Sequence, residues 1–80
     1  MPTSTPVPAS RAERWIAEID ALRRDRPEEA LRAAERGFAV AVRGADPARR
    51  GEMWRMRGHV LRGLRRAREA AACYRRAEQW

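Results

Sequence analysis

The spacing of apolar positions predicts a helix near the start of the chain. Its apolar stripe consists of Ala12, Trp15, Ile16, Ile19 and Leu22. These positions recur every three or four residues, so they share one face of a helix that runs to about Arg24. Ser10 and Glu13 have the spacing of a capping box, in which the hydroxyl and the carboxylate bind free backbone N–H groups. We therefore expect the first helix to begin at Ser10.

A second helix is predicted to start near Pro27. Proline is tolerated in the first turn of a helix, and it disfavours helical angles in the residue before it. The apolar positions that follow are Ala30, Leu31, Ala34, Phe38, Ala41 and Val42. Gly37 lies on the packed side, and Gly44 is expected to end this helix in the left-handed conformation.

Asp46 and Pro47 predict the start of a third helix, because an acidic cap followed by proline is typical of a first turn. This helix should run to about Leu64, with apolar positions at Met53, Trp54, Met56, Val60, Leu61 and Leu64. They cover more than one narrow stripe, so we expect packing on two sides. After a short arginine-rich link, a fourth helix carries Ala67, Ala70, Ala71, Ala72, Cys73, Tyr74, Ala77 and Trp80.

No run of alternating β-branched residues predicts a strand. The fold class is therefore predicted as all-α, with two antiparallel helical hairpins over about 10–43 and about 47–80. The chain has 80 residues, which allow one domain at most, placed here at 10–80. Residues 1–9 are rich in proline and threonine and are predicted to form a disordered tail.

The N-terminal residues lack the basic start and apolar core of a secretory signal. No apolar run approaches the roughly 18 to 20 residues that a membrane helix needs. Cys73 is the single cysteine, so an intrachain disulfide is excluded and a small buried hydrophobe in a reducing compartment is expected. A cytoplasmic protein without a membrane partner is predicted.

The formal charge of +7 is concentrated in the second half of the chain. Up to Arg43 there are eight arginines against seven acids, and from Gly44 onward there are ten against four. All eighteen basic residues are arginine, a uniformity that a GC-rich coding background explains better than eighteen separate contacts. Arginine content alone is therefore a weak indication of nucleic-acid binding.

The residues that could carry catalysis or bind a cofactor are few. His59 and Cys73 lie on different predicted helices without a third orienting group, so no nucleophile–base pair is indicated. One histidine and one cysteine do not complete a zinc site, and the five glycines are too scattered for a phosphate-binding loop. No enzymatic activity, metal or cofactor is predicted.

From Gly51 onward the sequence resembles a tetratricopeptide repeat. The resemblance rests on Trp54, Gly58, Leu61, Ala70, Tyr74 and Ala77. Gly58 and Ala70 are small enough for two antiparallel helices to approach closely, and the larger side chains fill the remaining seam. Arg57 departs from the pattern, since the family usually carries a large apolar residue there. The resemblance implies that the hairpins stack as a segment of a right-handed α-solenoid.

The first hairpin resembles a degenerate repeat. Trp15, Ile19 and Leu22 correspond to its first helix, and Ala30 and Ala34 to its second. Ala30 and Ala70 are forty positions apart, more than the family's period of about 34, as in lengthened repeats of some bacterial regulators. Because repeats bury their faces against neighbours, we expect either a segment of a longer protein, which we favour, or self-association. The self-association surface would consist of Tyr74, Ala77 and Trp80.

The family lines its concave groove with the first helix of each hairpin. Carried over to this chain, that property selects Glu52, Arg55, His59 and Arg62, with Arg23 from the first hairpin. Arg55, His59 and Arg62 stand at i, i+4 and i+7, so two guanidiniums flank an imidazole and can clamp an acidic peptide or a C-terminal carboxylate. The resemblance implies a protein–protein interaction scaffold, compatible with a larger bacterial regulatory or signalling protein. A simply solvated arginine face is the alternative.

Nucleic-acid binding is a second predicted function. Its phosphate contacts would come from a cluster formed by Arg65, Arg66, Arg68, Arg75 and Arg76. Binding of this kind falls steeply with salt. Base reading is not indicated, because the chain has one glutamine, Gln79, and no asparagine. A structural or self-associating role is the third alternative.

Overall fold

The structure is a computed structural model, and it describes residues 10–80; the predicted tail at 1–9 lies outside the described residues. Four helices follow one another: α1 (Arg11–Leu22), α2 (Pro27–Arg43), α3 (Pro47–Gly63) and α4 (Ala67–Ala77). Residues 10–80 contain no strand. The all-α prediction and the four helix positions are confirmed.

Helix starts follow the local signals in the sequence. The Glu13 backbone N–H donates to the Ser10 hydroxyl at 3.1 Å, and the Arg49 N–H donates to the Asp46 carboxylate at 2.8 Å. Prolines occupy the first positions of α2 and α3, where their missing N–H leaves no hydrogen bond unmade. The predicted caps at Ser10 and Asp46 are confirmed.

The end of α2 differs from the prediction. Gly44 has a φ of −86°, so the expected left-handed cap at this residue is wrong. The left-handed conformation is found instead after α3, at Arg65, with a φ of 62°. There the Arg66 N–H donates to the Leu61 carbonyl at 2.9 Å and the Arg65 N–H to the Arg62 carbonyl at 3.0 Å. These two bonds form a Schellman motif with arginine in place of glycine.

Helix α3 lies at the centre of the molecule, packed against each of the other three helices. One core cluster joins α1, α2 and α3, where Ile19, Met53 and Val60 are almost fully buried. A second cluster joins α3 to α4 through Leu61, Ala70 and Cys73. The expected two-sided packing of α3 is confirmed.

Aromatic rings connect the first cluster to the middle of the molecule. Phe38 lies between two tryptophans, with ring centroids 5.5 Å from Trp15 and 4.7 Å from Trp54. The Trp15 indole N–H donates to the Ala34 carbonyl at 3.1 Å, so its polar atom is satisfied inside the core. Trp15 therefore fixes α1 against α2 by both packing and hydrogen bonding.

Two glycines permit close approach of helices. A Cβ added at Gly58 would lie 2.8 Å from the nearest atom of the Tyr74 ring, and one at Gly37 would lie 3.2 Å from the Trp15 ring. At Gly58 a side chain would overlap the ring, so the predicted close contact between α3 and α4 is confirmed.

Candidate functional site

The predicted site residues define what we call the His59 face: Glu52, Arg55, His59 and Arg62 of α3, with Arg23 at the end of α1. Within it, a shallow depression of about 110 Å³ is lined by Ile16, Glu52, Arg55, Met56 and His59. Arg55 and Arg62 are exposed, whereas His59 is half-buried. Helix α1 contributes Ile16 to the apolar part of the lining.

His59 is held by a residue of the neighbouring helix. Its Nδ1 lies 2.8 Å from the Tyr74 hydroxyl, a hydrogen bond whose donor depends on the imidazole tautomer. The two rings are 5.5 Å apart between centroids. Since Tyr74 also faces Gly58, the hairpin contact and the position of His59 depend on the same side chain.

The surroundings of His59 are electropositive. Burial lowers the pKa of His59 from its ordinary value, and the positive charges of Arg23, Arg62 and Arg55 lower it further. Asp20 acts in the opposite direction. The structure therefore brings three of the predicted arginines close enough to His59 for their charges to act on its proton.

The arginines of the His59 face differ in their partners. Arg23 forms an ion pair with Asp20 at 2.9 Å. Arg55 and Arg62 make no ion pair or side-chain hydrogen bond within residues 10–80. Two guanidiniums beside His59 thus have free hydrogen-bond donors directed to no group of the described chain.

The carboxylate of Glu52 is already paired with another residue of the protein, so Glu52 adds little charge to the predicted site. Its carboxylate accepts a hydrogen bond from Arg49 at 2.6 Å, and Arg49 also approaches Glu13 at 3.7 Å. This network links α3 to the start of α1. Glu52 lines the depression, but its charge is compensated within the protein.

Four groups at the site were not predicted from the sequence: Asp20, Ile16, Met56 and the Tyr74 hydroxyl. Asp20 stands three positions before Arg23, a spacing that favours helical ion pairs and was a usable signal. Ile16 and Met56 were expected only as core positions. The His59 bond to Tyr74 joins residues 15 positions apart, and no local pattern indicates it.

Two arginines of the predicted second basic cluster have partners within the protein. Arg66 is paired with Glu69 at 2.8 Å, and Arg76 lies over the Trp54 ring.

In the predicted self-association surface Ala77 is buried and Tyr74 is half-buried. Trp80 is 49% exposed, so it alone offers that surface a large apolar area.

Other chemistry has little support among residues 10–80. No group of three or more His, Cys, Asp or Glu side chains there could hold a metal ion. Cys73 is buried, and burial raises the pKa of its thiol, which keeps it protonated and unreactive. None of the described helices is both long enough and apolar enough to cross a membrane.

Comparison of the chain with models of known families, with curated proteins and with solved structures gives no match. The described residues define an all-helical protein with a basic face on its central helix. The tetratricopeptide resemblance and the solenoid arrangement remain predictions.

Proposed function

We propose that the chain is a non-enzymatic protein-interaction module that binds an acidic segment or a C-terminal carboxylate of a partner on its His59 face. In this proposal the two hairpins form a tetratricopeptide-like segment, and α3 presents the groove. The observation that carries the proposal is the pair of unpartnered guanidiniums, Arg55 and Arg62, on either side of a half-buried histidine.

The geometry supports a carboxylate as the ligand. Guanidinium groups bind carboxylates through two parallel N–H···O bonds, which are shorter and stronger than neutral hydrogen bonds. Arg55 and Arg62 have these donors free, and Arg23 adds positive charge from α1. A helix in contact with three neighbouring helices presents its side chains with little reorganisation, which reduces the entropy lost on binding.

The lining also has a small apolar part. Ile16 and Met56 border the depression beside His59, and its volume of about 110 Å³ suits one small aliphatic side chain. An acidic segment with an apolar residue next to its carboxylate would therefore satisfy both parts of the site.

Titration of His59 provides a direct test. A bound carboxylate offsets the positive charge around the imidazole, so the pKa of His59 should rise on binding. The probe is a short peptide of glutamate and leucine with a free C-terminal carboxylate, compared with its amidated form. We would follow the imidazole by NMR over a pH series with and without peptide, and measure affinity by calorimetry.

Matched variants locate the binding site. Arg55→Ala and Arg62→Ala should each weaken binding about fivefold or more, the effect of losing one charge-assisted hydrogen bond. Arg76→Ala removes the same charge from α4, where Arg76 lies over the Trp54 ring outside the His59 face, and should leave peptide affinity nearly unchanged. An unshifted His59 pKa at saturating peptide, or equal losses in all three variants, would refute the proposal.

A further inference from the structure

Arginine side chains lie over aromatic rings on the side of α3 that faces away from His59. Trp54 and His59 are five residues apart, which corresponds to roughly 140° around an α-helix. The guanidinium carbons of Arg57 and Arg76 lie 5.8 and 5.3 Å from the Trp54 ring centroid. Arg57 is also 5.1 Å from the centroid of Phe38. Cationic and aromatic planar groups therefore alternate across this part of the surface.

A second arginine–indole pair continues the arrangement towards the end of α2. The Arg50 guanidinium carbon lies 5.2 Å from the ring centroid of the exposed Trp80. Arg50 is held in place by hydrogen bonds from Nε to the Val42 carbonyl and from Nη2 to the Arg43 carbonyl, both 3.1 Å. The position of this guanidinium is thus fixed by the C-terminus of α2.

Two shallow depressions connect these pairs. One of about 320 Å³ and one of about 260 Å³ share Trp54 and Arg76 in their linings. The smaller one contains no acidic residue, and the larger one contains Glu69, which is already paired with Arg66 at 2.8 Å. We call the whole the arginine–indole surface, formed by Arg43, Arg50, Trp54, Arg57, Arg76 and Trp80.

We propose that the arginine–indole surface binds single-stranded nucleic acid. A single strand combines planar rings with regularly placed phosphates, and both match this surface. Bases can stack on the exposed Trp80 indole and on the outward face of the Arg76 guanidinium, while phosphates accept hydrogen bonds from Arg43 and Arg57. Since the surface has no amide side chain that reads base edges, binding should be tolerant of sequence.

Alternative occupants fit less well. An acidic protein segment matches the charge but brings carboxylates without planar rings that would extend the stack. A second copy with the same surface would place like charges together, which opposes association. Sequence-specific reading of a DNA duplex requires an element that enters a groove, whereas α3 is the central helix and contacts all three of the others.

This site is independent of the acidic-segment site. It shares no residue with the His59 face, and it lies on the opposite side of α3. Either function can therefore fail in an experiment while the other is retained.

The test uses the full chain and fluorescently labelled oligothymidylate and oligouridylate of about a dozen nucleotides, a length typical of such sites. Anisotropy at low and moderate salt should give affinities that fall with salt, and stacking should quench tryptophan emission. Trp80→Ala should weaken binding about fivefold or more and remove most of the quenching. Arg76→Ala should weaken binding similarly, and Arg76→Lys should recover only part of it, because lysine keeps the charge without the plane.

Charge-matched controls complete the design. Arg68→Ala changes a residue of α4, the helix that carries Arg76, but lies outside the arginine–indole surface. Arg55→Ala changes a residue of the His59 face. Both variants should retain nearly full affinity for the oligonucleotides. Several results would overturn the proposal: no oligonucleotide binding at low salt, equal losses in all arginine variants, full recovery by Arg76→Lys, or competition by polyglutamate as effective as that by oligothymidylate. Circular dichroism of each variant verifies that the helices are retained.

Discussion

Arg65 occupies the one position among residues 10–80 where a non-glycine backbone has a positive φ. The Schellman bonds from Arg65 and Arg66 back to α3 require this conformation, and a Cβ makes it less favourable. Gly44, by contrast, has right-handed angles that any residue adopts. The glycine that follows α2 therefore does not need its conformational freedom, whereas the arginine that follows α3 adopts a conformation that favours glycine.

One substitution at each of these two positions should stabilise the protein. Arg65→Gly should raise the free energy of unfolding by about 0.5–1 kcal/mol by removing the left-handed strain. Gly44→Ala should raise it by about 0.4–1 kcal/mol by restricting the unfolded chain, since an added Cβ comes no nearer than 3.9 Å to another atom. Urea denaturation measures both. Destabilisation by Arg65→Gly would show that Arg65 makes compensating contacts.

Stability should also depend on the ionisation of His59. Because the folded pKa lies below the ordinary 6.5, the unfolded chain takes up a proton first as pH falls. The contribution of His59 is therefore fully present above about pH 7.5 and is lost as pH falls through 6.5 towards the folded value.

His59→Gln isolates this effect, since glutamine can keep a hydrogen bond to Tyr74 without titrating. Unfolding free energies measured between about pH 7.5 and pH 5.5 should fall more for the native chain than for His59→Gln. All other ionisable groups are the same in the two proteins, so their effect cancels in the comparison. Identical pH profiles would mean that His59 has no altered pKa in the folded state.

The starts of α1 and α3 could be predicted from the sequence because each is marked by one short-range hydrogen bond. Ser10 and Asp46 both bind the N–H three residues later, a contact that needs no neighbouring helix. The turn between α3 and α4 is different. Its left-handed residue is fixed by where the hairpin must close, and the side chain of Arg65 carries no signal of that conformation.

The contact between α3 and α4 can be tested by two identical substitutions in one helix. Gly58→Ala should destabilise the protein by about 1–3 kcal/mol, because the new Cβ would lie 2.8 Å from the Tyr74 ring and force a shift. Gly63→Ala meets no atom within 4 Å and should stabilise by up to about 1 kcal/mol through helix propensity.

Thermal unfolding followed by circular dichroism measures this difference. Tyr74→Ala removes the obstructing ring, so Gly58→Ala should be far less harmful in that background. If Gly58→Ala destabilises the Tyr74→Ala protein as much as the native one, the Tyr74 ring is not the group that the new Cβ overlaps. The two variants also separate helix propensity from packing against a neighbouring helix. Both glycines lie in α3, but only Gly58 faces another helix, a difference that the sequence alone does not show.

At the scale of the whole molecule, the four helices could be predicted from the sequence more fully than the side-chain contacts between them. The period of α3 indicated two packed sides, and two clusters occupy them. The sequence showed only that Arg57 departs from the repeat pattern. In the structure its guanidinium lies over the rings of Phe38 and Trp54. Such contacts depend on the relative placement of α2 and α3, which no spacing within either helix specifies.

Because α3 belongs to both core clusters, the two hairpins should unfold together. Met53 is fully buried where α1, α2 and α3 meet, so Met53→Ala should cost about 2–5 kcal/mol. That is a large part of the stability expected for a domain of this size, about 4–12 kcal/mol. Met56→Ala removes the same atoms from a half-buried position of the same helix and should cost clearly less.

Amide hydrogen exchange distinguishes joint from separate unfolding. If α3 links the hairpins, Met53→Ala should lower protection in α4 as much as in α1 and α2, although Met53 lies in the cluster that joins α1, α2 and α3. Tryptophan fluorescence and circular dichroism should then give one coincident urea transition. Retained protection in α3 and α4 with loss confined to the first hairpin would mean that the second hairpin is stable without its neighbour. The His59 face would then depend on α4 through Tyr74 rather than on α1.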